Sequence, residues 1–231
     1  VKRLTYTFLA LAITACAPAN RDASTSVDSS ATAQQTASAV PAPPPAPAKQ
    51  VDEQKPISYY TDKVAEIHTT AGDINIRFFP DVAPKHVRNF IDLSEKGFYN
   101  GTKFHRVIPG FVIQGGDRNS ISGDPSTWGT GNSGKYVDLE PSSIHHGRGI
   151  VSMARGGDPN SASSQFFICV ADAPNLDGGY SVFGEVTKGM DVVDQIVSAP
   201  TGERNRPDKP EAIKSITIRA ATDAEKGPAP K

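Results

Sequence analysis

The sequence predicts a mainly β domain, a closed barrel or sandwich, standing behind a polar N-terminal tail. Three observations predict it. All 20 glycines lie at or after Gly72, so the 231-residue chain changes compositional character near that point. Beyond it, short apolar runs recur between glycine-rich turns, the pattern of an all-β architecture. Only two stretches carry a helical period. A chain of this length allows one or two domains at about 100–200 residues each. Its 37% apolar content is low for a uniformly folded chain and suits a folded domain attached to a polar tail. Lys plus Arg is 24 and Asp plus Glu is 25, a net charge of −1. No basic excess is available for sequence-blind binding to DNA or RNA, so no nucleic-acid partner is expected.

The first segment, residues 1–15, reads as an export signal. Lys2 and Arg3 give a positive start, residues 4–13 form a short apolar run, and Ile13-Thr14-Ala15-Cys16 follows. A bilayer-spanning helix needs about 20 apolar residues, whereas a secretory signal needs about 7–15. Ile13-Thr14-Ala15-Cys16 resembles the lipobox of bacterial lipoproteins, in which cleavage precedes the cysteine and the cysteine takes lipid. That resemblance implies lipidation at Cys16, a membrane partner through the lipid, and a place in the cell envelope facing the periplasm. Residues 17–58 are rich in Ala, Ser, Thr, Gln and Pro and include Pro41-Ala42-Pro43-Pro44-Pro45-Ala46-Pro47. This composition predicts a disordered linker extending from Cys16 to residue 58. A flexible chain of that length has an r.m.s. reach of roughly 35 Å.

The folded domain is expected over residues 59–222, with a flexible tail over 223–231. Val64–Thr69 and Asp73–Phe79 read as strands joined at Ala71-Gly72. In the second, Ile74, Ile76 and Phe78 alternate with polar residues, the mark of a half-buried strand. Pro84 then suits a first helical turn, Val87, Phe90, Ile91 and Ser94 share one face, and Gly97 is placed to stop the helix. Asn100-Gly101 marks a tight turn. Strand-like runs follow at Lys103–Ile108, Phe111–Gln114, Ile150–Ala154, Gln165–Val170, Ser181–Val186 and Ser215–Arg219. A second helix is expected at about Met190–Ser198 on the stripe Val192, Val193, Ile196 and Val197. Cys169 falls in the apolar run Phe166–Val170. With Cys16 lipidated it has no disulfide partner, and it reads as a small buried hydrophobe.

Two motifs lose their usual meaning in context. Gly129-Thr130-Gly131-Asn132-Ser133-Gly134 matches G-x-G-x-x-G, but neither a buried strand before it nor a helix after it is indicated, so it reads as a loop. His145-His146 lacks a completing Cys or carboxylate at a recognisable spacing, and neighbours on a strand face opposite sides. No metal site is expected there.

The informative stretch is Phe104-His105-Arg106-Val107-Ile108-Pro109-Gly110-Phe111-Val112-Ile113-Gln114-Gly115-Gly116-Asp117. It holds a fixed cation, an amide and several apolar residues, and no obvious nucleophile. Gly149-Ile150-Val151-Ser152-Met153-Ala154-Arg155, Ser164-Gln165-Phe166-Phe167-Ile168 and Asn175-Leu176-Asp177-Gly178-Gly179-Tyr180 follow. Arg and Gln beside an aromatic pocket suit an uncharged, partly apolar ligand with a carbonyl to hydrogen-bond. These blocks, in this order from about Val64 to Arg219, resemble the cyclophilin family of peptidyl-prolyl cis/trans isomerases.

The resemblance implies a mainly β fold, a closed eight-stranded antiparallel barrel capped by two α-helices. It implies no metal or nucleotide cofactor. The implied partners are proline-containing polypeptides, handled by a monomer during the folding of exported proteins. Arg106 and Gln114 match the catalytic positions. His105 matches a rim position, and Phe111, Val112, Phe167, Leu176 and Tyr180 match the proline pocket. Ala154, Arg155 and Gln165 match further substrate contacts. Val112 stands where the family often has Met, Asn175 where it often has Trp, Tyr180 where it often has His, and Arg155 where Asn is common. The loop Arg118–Gly134 is longer than in compact members. Two alternatives use the same barrel, a non-enzymatic peptide-binding module and a structural envelope lipoprotein. Retention of Arg106 and Gln114 disfavours the first.

Overall fold

The computed structural model describes residues 55–227 and 229–230. The expected signal, Cys16 and almost all of the expected linker lie outside the described residues. Eight strands are present: β1 (Lys63–Thr69), β2 (Asp73–Phe78), β3 (Arg106–Ile108), β4 (Val112–Gly115), β5 (Ile150–Met153), β6 (Phe166–Cys169), β7 (Val182–Lys188) and β8 (Ile213–Ala220). Three α-helices accompany them: α1 (Ile57–Tyr60), α2 (Pro84–Glu95) and α3 (Met190–Val197). Every strand pairing is antiparallel, and the order across the sheet is β3-β4-β6-β5-β7-β2-β1-β8.

Two expectations are corrected here. The sheet is a curled, open half-barrel rather than a closed barrel. Its end strands β3 and β8 share no ladder, and the seam between them carries a lone bridge, Lys103 to Ala212. Hydrogen bonds from Gly101 N to Ile213 O (2.7 Å) and Phe104 N to Glu211 O (2.9 Å) support that bridge. The contacts across the seam fall at residues 101–104, ahead of β3, against 211–213, at the start of β8, so the two end strands themselves do not run side by side. The second correction is the helix count, since one-turn α1 adds to the two helices expected. It lies across the expected boundary at residue 58 and buries Tyr60.

Helix α2 ends as its sequence predicts. Gly97 takes a left-handed φ of 67°. Its N–H reaches Ser94 O at 2.9 Å and the Phe98 N–H reaches Leu93 O at 3.0 Å, the paired bonds of a Schellman stop. The helix packs on β7 and β8 and inserts Phe90 into the core, edge-on to Phe166 with centroids 5.3 Å apart. The expected tail over 223–231 begins with a short ordered turn. Asp223–Glu225 form a 3-10 turn with a Thr222–Glu225 capping box, and Arg219 grips Glu225 through two N–H donors at 2.8 and 2.7 Å.

Strand alternation divides the sheet into two faces. Val107, Ile113, Phe166, Ile168, Val151 and Met153 enter the main core with Phe90, Tyr99 and Phe183. Their neighbours Arg106, Val112, Gln114, Phe167, Cys169 and Ser152 must therefore point to the other face, because successive strand residues alternate.

Candidate active site

Register brings the outer-face residues into one row. Arg106 pairs with Gln114 across β3 and β4, Gln114 with Phe167 across β4 and β6, and Phe167 with Ser152 across β6 and β5. Neighbouring strands lie about 4.8 Å apart, so these four side chains stand shoulder to shoulder. Arg106 Nη1 donates to Gln114 Oε1 at 3.1 Å, and Gln114 Nε2 donates to Gln165 Oε1 at 3.0 Å. Gln165 Nε2 in turn donates to the carbonyls of Gly129 (3.0 Å) and Gly131 (2.8 Å). The chain of amides fixes which end of each Gln is oxygen. It uses one of the five N–H donors of the guanidinium, and the others remain for a ligand.

Beside this chain lies a pocket of about 180 Å³ lined by Arg106, Phe111, Val112, Gln114, Ala154, Arg155, Phe167, Leu176 and Tyr180. Pockets for drug-sized ligands run to about 300–1,000 Å³, so this one suits a single small ring. Val112, Phe167, Cys169, Ala173 and Leu176 form a second, separate apolar cluster behind it, with Phe111, Ala154 and Tyr180 against it. Cys169 is fully buried there and unpaired, and burial pushes its thiol up to about 12.

Nine of the sequence-derived site residues thus meet at the pocket, and two stand off it. Gln165 lines the adjoining depression with Gly129, Gly131 and Asn132. His105 is not at the rim. It is 4% exposed, and neither ring nitrogen has a hydrogen-bond partner among the described residues. Its ring lies against Gly129, beneath the loop that holds Gln165.

Arg155 packs its side chain along the pocket wall. Its guanidinium lies 4.8 Å over the Tyr180 ring and its Nε donates to Gly179 O at 3.0 Å. Two departures from the family pattern therefore touch each other, a cation resting on an aromatic face.

Residues 145–146 hold a group that sequence reasoning missed. The structure places both His145 and His146 on one carboxylate, Asp177, at 2.8 and 2.9 Å from their Nδ1 atoms. The pair sits in a loop rather than a strand, so the expectation of opposite faces does not apply. These hydrogen bonds, with one from the His146 backbone N–H, hold the Asp177 carboxyl well below the usual carboxylate range. Asp177 raises the pKa of His145, whereas burial lowers that of His146 against the pull of the same carboxylate. Burial also lowers the pKa of His105. His105 and His146 therefore take up protons less readily in the fold than in the unfolded chain, which binds them as pH falls through about 6.5. His145 acts oppositely: its contribution is fully present below about 6.5 and fades as pH rises through its folded pKa. Its pair is exposed and screened, so the buried pair dominates. Urea unfolding midpoints should accordingly fall between pH 7 and pH 5. A midpoint that rises over that interval would contradict the assignment.

A fixed cation beside a ring-sized apolar pocket, on the outer face of a half-barrel, suits an uncharged peptide segment rather than a nucleotide. The comparisons sharpen this. The family described as cyclophilin type peptidyl-prolyl cis-trans isomerase/CLD matches residues 64–218. A probable peptidyl-prolyl cis-trans isomerase of Brucella abortus is 46% identical over 157 residues, covering 65% of this chain and 80% of its own length. A peptidyl-prolyl cis-trans isomerase-like 2 of Gibberella zeae is 42% identical over 167 residues, 71% of this chain, and the match spans 28% of that longer protein. A Cryptosporidium parvum cyclophilin type isomerase, crystallised in the presence of the dipeptide Ala-Pro, superposes with a TM-score of 0.61. It is 35% identical, with 68% of this chain and 99% of that one covered. The chain belongs to the cyclophilin family and is a peptidyl-prolyl cis-trans isomerase.

Proposed function

We propose that this protein accelerates X–Pro rotation in exported polypeptides as they fold, from a lipid anchor at Cys16 in the cell envelope, facing the periplasm. The observation that carries the catalytic part is the in-register row Arg106–Gln114–Phe167 beside the pocket. The peptide bond resists rotation by about 18–20 kcal/mol because the nitrogen lone pair is delocalised into the carbonyl. Catalysis requires only that the twisted amide bind better than the planar one. On twisting, the lone pair returns to nitrogen and accepts a hydrogen bond. Arg106 supplies that donor from a guanidinium that Gln114 already orients, so little reorganisation accompanies the event. Phe111, Val112, Phe167, Leu176 and Tyr180 hold the proline ring still while the carbonyl side turns. Gln114 and Ala154 face the peptide on either side, and Arg155 braces Tyr180.

Uncatalysed X–Pro isomerisation takes tens to hundreds of seconds, slow enough to follow directly. A proline-containing tetrapeptide should relax severalfold faster with catalytic amounts of the protein. Unchanged relaxation at micromolar protein would overturn the reading. The anchor has its own test. Cys16→Ser should abolish lipid attachment and release the protein from membranes without detergent, since stable anchoring takes at least two acyl chains. If the native protein already extracts in plain buffer and its mass shows no lipid, the anchor is wrong.

A further inference from the structure

We propose that His146 is a positioning residue for isomerisation, one imidazole that braces the back of the proline pocket by tying the turn that carries Leu176 to the strand that faces Phe167. This rests on the isomerase reading above. His146 is fully buried, 0% exposed, and both of its ring nitrogens are engaged. Nδ1 meets Asp177 Oδ1 at 2.9 Å and Nε2 meets Ser152 Oγ at 2.9 Å. A carboxylate only accepts, so Nδ1 carries the proton and Nε2 accepts from the serine hydroxyl. The tautomer is thereby fixed, and so is the plane of the ring.

That plane matters to the pocket. The imidazole lies 24° from parallel to the Phe167 ring with centroids 6.1 Å apart, and stands edge-on to Tyr180 at 6.5 Å. Phe167 and Tyr180 are themselves edge-to-face at 5.5 Å. At one end of the brace, Ser152 sits opposite Phe167 in the β5–β6 register. At the other, Asp177 directly follows the Pro174–Leu176 turn and also accepts from the His146 backbone N–H at 2.8 Å. Phe167, Leu176 and Tyr180, three walls of the pocket, thus take their positions from one ring. The order Ser, His, Asp resembles a nucleophile with its base and orienting carboxylate. Ser152 is 0% exposed, however, so no substrate reaches its hydroxyl and the arrangement serves as a brace.

The brace predicts a particular kinetic signature. Pocket walls grip the proline ring equally in the planar and the twisted amide. Loosening them removes uniform binding, which raises KM and leaves kcat nearly unchanged. KM and kcat are to be measured separately on a tetrapeptide containing Ala-Pro, for the wild type, His146→Leu, His146→Asn and Asp177→Asn. His146→Leu should raise KM about tenfold with kcat within about twofold, the scale of leaving buried polar partners unpaired. His146→Asn keeps a donor for Asp177 and should recover most of the loss. Asp177→Asn alters an exposed carboxylate, leaves the core intact and should raise KM by a smaller factor, so it decides the matter if His146→Leu does not fold. Wild-type KM in the folded variants, or a fall in kcat instead of a rise in KM, overturns the role. An inactive wild type overturns the isomerase reading and this role together, whereas an active wild type with unchanged variants overturns this role alone.

Discussion

Arg106→Ala is expected to lower kcat/KM by about 10²–10³, the effect of removing one preorganised donor from a developing acceptor. The loss should fall on kcat, because the planar amide offers no nitrogen lone pair for the guanidinium to meet. Folding should survive. Arg106 is only part-buried on the outer face of β3, outside the apolar clusters, and its one side-chain partner among the described residues is Gln114. Arg106→Lys separates charge from geometry. It keeps a cation but replaces the planar fork with a flexible point charge, so it should recover only part of the activity. Near-normal kcat/KM in a folded Arg106→Ala protein would remove this residue from the mechanism. The contrast with His146 is itself diagnostic: one variant should move kcat and the other KM.

What the sequence made legible was local. Ile74, Ile76 and Phe78 announced β2 by period, and Pro84 and Gly97 marked where α2 starts and stops, because propensity and capping act within a few residues. The clustering of Arg106, Gln114, Phe167 and Leu176 was legible through the family resemblance, since no spacing in the chain announces that β4 lies between β3 and β6. Barrel closure was misread for a related reason. Whether β3 meets β8 depends on residues more than 100 positions apart, 101–104 against 211–213. The His146–Asp177–Ser152 brace left no sequence signal at all. Its members lie 31 and 6 residues from the histidine in loop, turn and strand, and none of those spacings has a period. The loop Arg118–Gly134 was likewise read as a loop and nothing more, although its carbonyls at Gly129 and Gly131 terminate the amide chain that begins at Arg106.

That loop depends on one buried carboxylate, and Asp117→Ala is expected to destabilise the domain by about 2–3 kcal/mol. Asp117 is 0% exposed. Its Oδ1 accepts from the Asn119 N–H at 2.8 Å and caps the Arg118–Ser120 turn, and its Oδ2 accepts from the Gly129 N–H. Packing leaves no slack around it: a Cβ built on Gly131 would overlap Asp117 Oδ1. Alanine would strand two backbone donors, so both the cap and the far side of the loop lose their tie. For a domain of this size the melting temperature should drop by about 4–12 °C. Asp117→Asn keeps one acceptor and should lose roughly half as much. Activity should fall as well, because a loosened loop releases the Gly129 and Gly131 carbonyls from Gln165 and frees Gln114 to turn away from the guanidinium. Melting temperature and kcat/KM measured on the same preparations test both halves. If Asp117→Ala melts within a degree of the wild type, the carboxylate does not hold the loop. If it melts early yet keeps full kcat/KM, the loop stabilises the domain without orienting Arg106.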